Sequence, residues 1–197
     1  MNSKTAEEKK NLRKIMRSKL KEYFSQHDGK IDSALVARKI LELDSFKSAD
    51  FVLAFLATKH EIDCQLIIDI ALVTGKTVAL PKVSSETELD FYILNPAEPL
   101  ESQVEDGSFA IREPKSTLFR LDVDSFSGKN VVVIVPGLSF SKTGARLGRG
   151  KGFYDRFIQR LSSAGAQVFL SGICFPFQLE DSIPTDEHDA RMDFVAY

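Results

Sequence analysis

The fold is decided at residues 131–173, VVVIVPGLSFSKTGARLGRGKGFYDRFIQRLSSAGAQVFLSGI. The stretch opens on β-branched residues from Val131 to Val135, which predict a strand buried on both faces. Residues Phe153 to Leu161 have the periodicity of a helix, and Val168 to Ile173 read as the next strand. A strand, a helix and a further strand in this order predict a parallel crossover unit.

A second unit of the same kind precedes it in the chain. Phe51 to Leu56 predicts a strand, Asp63 to Val73 a helix ended by Gly75, and Thr77 to Leu80 the following strand. We expect three residues of that helix to point inward: Leu66, Ile67 and Ile70. A further strand is expected at Asp90 to Leu94. Residues 95–128, rich in Pro, Ser, Asp and Glu, predict peripheral strands or loops.

Two helices are predicted before the first strand. The first is indicated by apolar residues that recur on one helical face: Leu12, Ile15, Met16, Leu20, Tyr23 and Phe24. Thr5 followed by Glu8 fits a capping box at its start. The second helix is expected from Asp32 as N-cap to about Leu43, with these residues inward: Leu35, Val36, Ile40 and Leu43. The sequence therefore predicts one α/β domain over residues 1–197, with a mostly parallel sheet covered by helices on both faces.

Composition limits the classes of function. The 197 residues, 43% of them apolar, suffice for one sizeable core, and the 26 basic and 28 acidic residues give a formal charge of −2. This balance argues against a dedicated nucleic-acid or membrane-surface binder. The apolar runs are far shorter than the roughly 20 residues of a membrane helix, and the polar N-terminus resembles no export signal, so we expect a cytoplasmic protein. Cys64 and Cys174 are expected to be two buried thiols.

The connection between Val135 and Phe153 is seventeen residues long, beyond the usual length of such a joint. Long loops at the carboxyl end of a parallel strand are where ligands bind. From Lys142 to Arg160 the chain carries six basic residues and one acidic residue, a net charge of +5. This long basic loop after a central strand is therefore the candidate binding site.

Glycines give this loop the character of a phosphate site. Gly148, Gly150 and Gly152 alternate with Arg149 and Lys151, so that backbone N–H groups can approach an anion closely. The next helix adds its N-terminus to the same place. The spacing matches neither a P-loop nor a dinucleotide fingerprint.

Two neighbouring features strengthen the prediction of a nucleotide site. Tyr154 and Asp155 follow the loop, and a carboxylate there could bind a nucleotide-bound magnesium ion. On the first helix Lys9, Arg13 and Arg17 fall four residues apart and form a row of cations. Such a row is ordinarily a solvated face, and we expect Arg17 to stay at the surface.

The run VPGLSFSKTGARLGRGKGFYDRF at residues 135–157 resembles the motif of the 5-formyltetrahydrofolate cyclo-ligase family, also called 5,10-methenyltetrahydrofolate synthetases. Further matches stand in family order: the basic helix at Lys9 to Arg13, the strand running through Leu56 to Glu61, Leu80-Pro81, and Pro184 to Asp189. The resemblance covers nearly the whole chain and is weakest over residues 95–128.

The resemblance implies an ATP- and Mg²⁺-dependent cyclisation of 5-formyltetrahydrofolate to 5,10-methenyltetrahydrofolate, with release of ADP and phosphate. ATP would phosphorylate the formyl oxygen, and N10 of the folate would attack the activated carbon. The implied cofactor is Mg²⁺, the co-substrate is ATP and the substrate is the folate. No nucleic-acid or membrane partner is implied, and family habit suggests a monomer.

Site residues follow from the resemblance position by position. The implied ATP-binding residues are Lys9, Lys10, Arg13, Arg146, Leu147, Gly148, Arg149, Gly150, Lys151, Gly152, Phe153 and Tyr154. The implied folate-binding residues are Leu56, Glu61, Arg149, Gly150, Lys151, Gly152 and Phe153. Asp155 and Asp189 match the magnesium ligands, and Lys151, Arg149 and Tyr154 the catalytic residues. Phe153 stands where the family usually has tyrosine, so no role is expected for a hydroxyl group there.

Two other functions stay open from the residues alone. A sugar-phosphate isomerase or CoA-transferase-like enzyme of related fold would also have an anion-binding loop after a parallel strand, without a need for ATP. An RNA-binding module would use the basic loop and the basic helix. The few aromatic residues among these cations, Phe153 and Tyr154, argue against RNA.

Overall fold

The computed structural model describes residues 3–107 and 111–197. Its helices are, in chain order, α1 (Ser3–Gln26), α2 (Lys30–Glu42), α3 (Asp44–Lys47), α4 (Gln65–Val73), α5 (Leu100–Gln103) and α6 (Phe153–Ser163). Its strands are β1 (Phe51–Leu53), β2 (Thr77–Val83), β3 (Leu89–Ile93), β4 (Val104–Asp106), β5 (Arg112–Pro114), β6 (Phe119–Arg120), β7 (Asn130–Val135), β8 (Ser139–Ser141), β9 (Arg146–Leu147), β10 (Gln167–Ile173), β11 (Leu179–Glu180) and β12 (Phe194–Ala196). Short 3₁₀ helices occupy Val123–Phe126 and Pro176–Gln178.

A seven-stranded sheet with the order β12-β10-β7-β1-β2-β3-β6 forms the centre of the molecule. The five strands from β12 to β2 are parallel, and β3 and β6 extend the sheet antiparallel at one edge. In the central register Val52 of β1 lies between Val78 of β2 and Val132 of β7. The mostly parallel sheet and both crossover units, β1-α4-β2 and β7-α6-β10, are thereby confirmed.

The central place of β7 in the sheet explains why its sequence is apolar at successive positions. Val132 and Ile134 pack in one core with residues of α1, α2 and α4. Val131, Val133 and Val135 pack in a second core, against α6 on the opposite face of the sheet. Each fully buried side chain of this size contributes roughly 1.5–3 kcal/mol. Helices therefore cover both faces, as predicted.

The helix starts differ from the predicted ones. Helix α1 already includes Ser3, so Thr5 and Glu8 lie inside it and the predicted capping box is wrong. Helix α2 begins at Lys30 after Gly29, not at Asp32. Gly29, at φ = 72°, therefore takes the N-cap position that the prediction gave to Asp32, and the Lys30 amide donates to Oδ1 of Asp28 (3.0 Å) just before it.

Three residues predicted to point inward lie at the surface. Ile15 and Leu35 are each 51% exposed, and Leu66 is 39% exposed. Their positions fall at the margins of apolar faces whose centres, such as Met16 and Ile67, are fully buried. Periodicity locates the centre of an apolar face but not its width, because the width depends on the neighbouring elements.

The ends of two strands also differ from the prediction. Strand β1 ends at Leu53, three residues before the predicted end, and β2 continues past Leu80 to Val83, where it pairs with β3. The segment 95–128 contains the peripheral strands expected of it: β4 and β5 form a hairpin, and β6 adds to the edge of the main sheet.

Cys64 and Cys174 are free and buried, as predicted. Within the described ranges no helix is both long and apolar enough to cross a membrane.

The contact of Tyr23 with Asp32 gives a prediction for alkaline stability. The Tyr23 hydroxyl donates to the Asp32 carboxylate, and burial, with this hydrogen bond and charge, raises the pKa of Tyr23 to about 12 from 10.0. The folded chain thus holds the phenol proton after the unfolded chain has lost it. This stabilising contribution is complete below pH 10 and is lost as the pH rises toward 12.

We therefore expect the free energy of unfolding, measured by urea denaturation, to fall more steeply between pH 10 and pH 12 in the unmodified protein than in the Tyr23→Phe variant. Other alkaline groups titrate equally in both proteins, so the difference between the two slopes isolates Tyr23. Equal slopes would exclude a folded-state shift of the Tyr23 pKa.

Candidate active site

The connection between β7 and α6 is partly regular, in contrast to the continuous loop predicted. Strands β8 and β9 form a hairpin within it, with Phe140 opposite Arg146, and β11 adds to β8 as a third strand. Outside these strands the connection consists of residues 136–138, the hairpin turn 142–145, and the irregular glycine-rich segment 148–152 just before α6. The hairpin is anchored by Phe140, which is fully buried. The glycine-rich segment therefore starts from a fixed support at the carboxyl end of β7.

Arg146 lies under this segment and holds Asp155. Its guanidinium is 7% exposed, and Nη2 donates to Oδ1 of Asp155 (2.6 Å) while Nη1 donates to the Pro136 carbonyl (3.2 Å). Nε of Arg146 is buried and, within the described part of the chain, has no hydrogen-bond partner. Oδ1 of Asp155 also accepts a hydrogen bond from the Ala190 amide (3.2 Å). The ion pair of Arg146 and Asp155 thus joins β9 to α6, and the Ala190 amide joins the segment that carries Asp189 to the same carboxylate.

Lys9 of α1 contacts the segment that carries Asp189. The lysine is 3% exposed, and its Nζ lies 2.8 Å from Oδ2 of Asp186 and 2.5 Å from Oδ2 of Asp189. Burial alone would lower the pKa of Lys9, but the hydrogen bonds and charges of the two carboxylates outweigh it and raise the pKa. Lys9 is therefore a buried, charged ammonium group.

Arg13, one turn along α1, contacts the glycine-rich segment directly. Its Nε donates to the Gly148 carbonyl (2.9 Å). Burial and the charge of Arg17 lower the pKa of Arg13. Lys10 points elsewhere: it is exposed and lies 3.8 Å from Glu7 on the same helix. Of the cations expected on α1, the structure thus brings Arg13 to the glycine-rich segment and Lys9 to Asp189, but Lys10 to neither.

Glu61 lies in the turn between β1 and α4 and contacts the glycine-rich segment from there. Its Oε2 accepts hydrogen bonds from the amide (2.9 Å) and hydroxyl (2.8 Å) of Thr58. Its Oε1 accepts a hydrogen bond from Nη2 of Arg149 (2.7 Å) in the glycine-rich segment. The structure therefore joins Glu61 and Arg149, which the sequence placed in the folate site.

Tyr154, at the start of α6, lies near both Glu61 and Arg146. Burial, the charge of Glu61 and the neighbouring Cys64 raise the pKa of its phenol well above the usual range, although Arg146 opposes the shift. The phenol is therefore neutral near pH 7 and can donate a hydrogen bond, but it does not act as a base there.

Lys151 is exposed at the end of the glycine-rich segment. Among residues 3–107 and 111–197 no hydrogen bond or ion pair holds its ammonium group, which is free to meet a ligand. Its backbone carbonyl, in contrast, accepts a hydrogen bond from Nη2 of Arg156 (2.8 Å). Arg156 also donates to the Thr87 carbonyl (2.6 Å), and its guanidinium lies 5.6 Å from the centre of the Phe153 ring.

Sequence reasoning missed three residues of this site: Thr58, Arg156 and Asp186. The three-residue spacing of Thr58 and Glu61 is a weak local indication of their turn. Nothing local marked Asp186 as the partner of Lys9, which lies 177 positions away.

The candidate site thus places Lys9, Arg13 and Arg146 beside two carboxylates, Asp155 and Asp189. No set of three or more His, Cys, Asp or Glu side chains able to hold a metal ion occurs within the described ranges. Two carboxylates suit Mg²⁺ bound to a nucleotide, because its other ligands are then phosphate oxygens and water. The donor set therefore fits a nucleotide-borne magnesium ion rather than a metal held by protein alone.

Comparison with known proteins identifies relatives along nearly the whole chain. The model of the 5-formyltetrahydrofolate cyclo-ligase family matches residues 5–197. The 5-formyltetrahydrofolate cyclo-ligase of Mus musculus is 27% identical over 191 residues, 96% of this chain and 93% of its own. The Escherichia coli K12 protein of the same name is 33% identical over 147 residues, 75% of this chain and 77% of its own.

Solved structures show the same fold. The 5,10-methenyltetrahydrofolate synthetase of Aquifex aeolicus superimposes with a TM-score of 0.74 at 27% identity, covering 95% of this chain and 88% of its own. The synthetase of Mycoplasma pneumoniae gives a TM-score of 0.67 at 20% identity, covering 95% and 97%, a likeness of fold.

Proposed function

The chain belongs to the 5-formyltetrahydrofolate cyclo-ligase family, and on this premise we propose that it converts 5-formyltetrahydrofolate to 5,10-methenyltetrahydrofolate at the expense of ATP. The observation that carries the proposal is that Arg13 contacts Gly148 of the glycine-rich segment while Lys9 contacts Asp189 and Arg146 contacts Asp155. Buried cations, backbone amides and paired carboxylates are the groups that bind a magnesium-bound triphosphate.

The chemistry consists of two displacements. The formyl oxygen of the folate attacks the γ-phosphorus of ATP, the bond to the bridging oxygen breaks, and ADP leaves. N10 then attacks the activated formyl carbon and gives up its proton to water, the carbon–oxygen bond breaks, and the oxygen departs with the phosphate. The protein contributes position and charge, since the reaction needs no covalent enzyme intermediate.

The residues of the candidate site take the following roles in this reaction. Lys9, Arg13 and Arg146 bind the phosphates, and the free ammonium group of Lys151 neutralises charge on the phosphoryl group in transfer. Asp155 and Asp189 hold Mg²⁺, which neutralises the phosphate oxygens when bound. Glu61 accepts hydrogen bonds from the pterin ring. Neutral Tyr154 donates a hydrogen bond between the two substrates.

We further propose that residues 1–197 act as one cytoplasmic catalytic domain and as a monomer, without a nucleic-acid or membrane partner. The extent of the family match and the net charge of −2 support this. The isomerase and CoA-transferase alternatives are not supported by the comparisons, in which relatives named cyclo-ligase cover most of the chain.

An absorbance assay tests the proposed reaction. Purified protein is mixed with 5-formyltetrahydrofolate, Mg²⁺ and ATP, and each component is omitted in turn. We expect the ultraviolet absorbance of methenyltetrahydrofolate to rise only in the complete mixture. A rise without ATP would contradict phosphoryl activation, and no rise with folded protein would contradict the function itself.

The Glu61→Gln substitution separates the two substrates. It keeps the size of the side chain but removes the charge that accepts hydrogen bonds from the pterin, so we expect the KM for the folate to rise about tenfold or more. The KM for ATP should stay within about twofold. Steady-state kinetics with each substrate varied in turn make the measurement, and Glu86→Gln, at an exposed position, is the control. An unchanged folate KM would remove Glu61 from the folate site.

A further inference from the structure

We propose that Asp186 is a positioning residue that keeps the Lys9 ammonium group in the phosphate site. The inference rests on the proposed function, because it assigns Lys9 to the phosphates of ATP and Asp189 to Mg²⁺. It concerns a residue outside the set implied by the family resemblance, and it follows from the way in which Lys9 is held.

Lys9 has two anionic partners that are not equivalent. In the ligand-free protein its Nζ contacts Oδ2 of both Asp186 and Asp189. If Asp189 turns its oxygen to a magnesium ion, as proposed, it gives up part of its contact with Lys9. Asp186 is then the carboxylate that remains for the ammonium group.

A buried lysine needs such a partner. With both carboxylates withdrawn, the Lys9 side chain would turn its flexible stem toward water, because an unpaired buried charge is unfavourable. This movement would remove a positive charge from the phosphate site. One retained carboxylate prevents the movement and still leaves hydrogens of the ammonium group for a phosphate oxygen.

Asp186 is itself held in the geometry that this role requires. Its Oδ1 accepts a hydrogen bond from the His188 amide (3.3 Å), which leaves Oδ2 for Lys9. Its own amide donates to Oδ2 of Asp189 (2.9 Å), so that the two carboxylates are kept on the same side of the turn. The hydrogen bond from Lys9 holds the pKa of Asp186 below its usual value, although burial opposes the shift.

The test combines kinetics with the reactivity of Lys9 in the ligand-free protein. In the Asp186→Asn variant we expect the KM for ATP to rise about tenfold, with the KM for the folate within about twofold. In an Asp189→Asn background, where Asp186 is the one carboxylate left to the ammonium group, we also expect Asp186→Asn to make Lys9 react with an amine reagent at least about fivefold faster, as measured by peptide mass spectrometry. Glu187→Gln is the control, because Glu187 is exposed and its charge contacts only the exposed His188 among the described residues.

A double-mutant cycle shows whether Asp186 acts through Lys9. In the Lys9→Ala background, Asp186→Asn should cause no further rise in the KM for ATP. A further rise as large as in the unmodified background would overturn the proposal, as would an unchanged KM for ATP in the single variant. Thermal denaturation of every variant identifies any that do not fold. If Asp186→Asn does not fold, Asp186→Glu in the Asp189→Asn background keeps the carboxylate charge and should keep the acylation of Lys9 slow. Rapid acylation in that folded variant would count against the proposal.

The two proposals fail separately. If the unmodified protein shows no ATP-dependent cyclisation, the proposed function is wrong. The acylation of Lys9 needs neither substrate nor metal, so it still reports whether Asp186 holds the ammonium group. Equal acylation rates in folded Asp189→Asn and in the folded double variant Asp186→Asn/Asp189→Asn would overturn the inference even where the unmodified enzyme is fully active.

Discussion

We expect the Lys151→Ala variant to turn over at least about 100 times more slowly than the unmodified protein, with a free energy of unfolding changed by less than about 0.5 kcal/mol. The two expectations have different causes. The loss of turnover follows from the proposed role of the ammonium group, which neutralises charge that develops as the phosphoryl group is transferred. The unchanged stability follows from the structure, in which the ammonium group is exposed and has no partner among the described residues.

The matched control is Lys142→Ala. Lys142 is exposed in the same connection but lies in the hairpin turn, outside the proposed site. We expect its turnover to stay within about twofold of the unmodified protein. The kcat is measured with both substrates saturating, and stability by urea denaturation. Equal kcat values for Lys151→Ala and Lys142→Ala would exclude Lys151 from the chemistry.

The second large effect is expected on stability, from Gly144→Ala. Gly144 has φ = 87°, and a Cβ there would lie 2.2 Å from the Met192 carbonyl oxygen. The same two residues share a hydrogen bond from the Met192 amide to the Gly144 carbonyl (2.8 Å). An added methyl group therefore strains one backbone and displaces another, at a cost of about 2–5 kcal/mol in the free energy of unfolding.

This substitution should also reduce turnover, because Met192 closely follows Asp189 in the segment that the β8–β9 turn holds in place. Gly75→Ala is the control: Gly75 has a similar φ of 77°, but a Cβ there meets no atom within 4 Å. The Gly75→Ala variant should lose about 1 kcal/mol in the free energy of unfolding, from the backbone conformation alone. Urea denaturation measures both variants. If Gly144→Ala lost no more stability than Gly75→Ala, the close contact of the turn with Met192 would be excluded.

The central elements of the fold were predictable because their causes are local. The continuous β-branched run at β7 needs both faces buried, and an alternation of strands and helices leaves parallel crossovers as the simplest connection. The order of strands was not predictable, since it depends on contacts between distant segments. The start of α2 was mispredicted because the cap is Gly29, which has no side chain to mark it, while Asp32 lies inside the helix and accepts a hydrogen bond from Tyr23.

The site was predictable where residue types follow one another along the chain. The alternation of glycines with basic residues at 148–152 indicates anion binding by itself, and the resemblance added Lys9 and Glu61. Asp186 could not be predicted, because its role depends on a lysine 177 positions away. The hairpin of β8 and β9 was also missed, since its strands are only three and two residues long.

The fate of the formyl oxygen tests the proposed reaction most directly. The protein is incubated with Mg²⁺, ATP and 5-formyltetrahydrofolate that carries ¹⁸O in the formyl group, and the released phosphate is analysed by mass spectrometry. We predict one ¹⁸O atom in the phosphate for each methenyltetrahydrofolate formed, because the formyl oxygen leaves on phosphorus. Methenyltetrahydrofolate formed together with unlabelled phosphate would contradict activation of the formyl group by ATP.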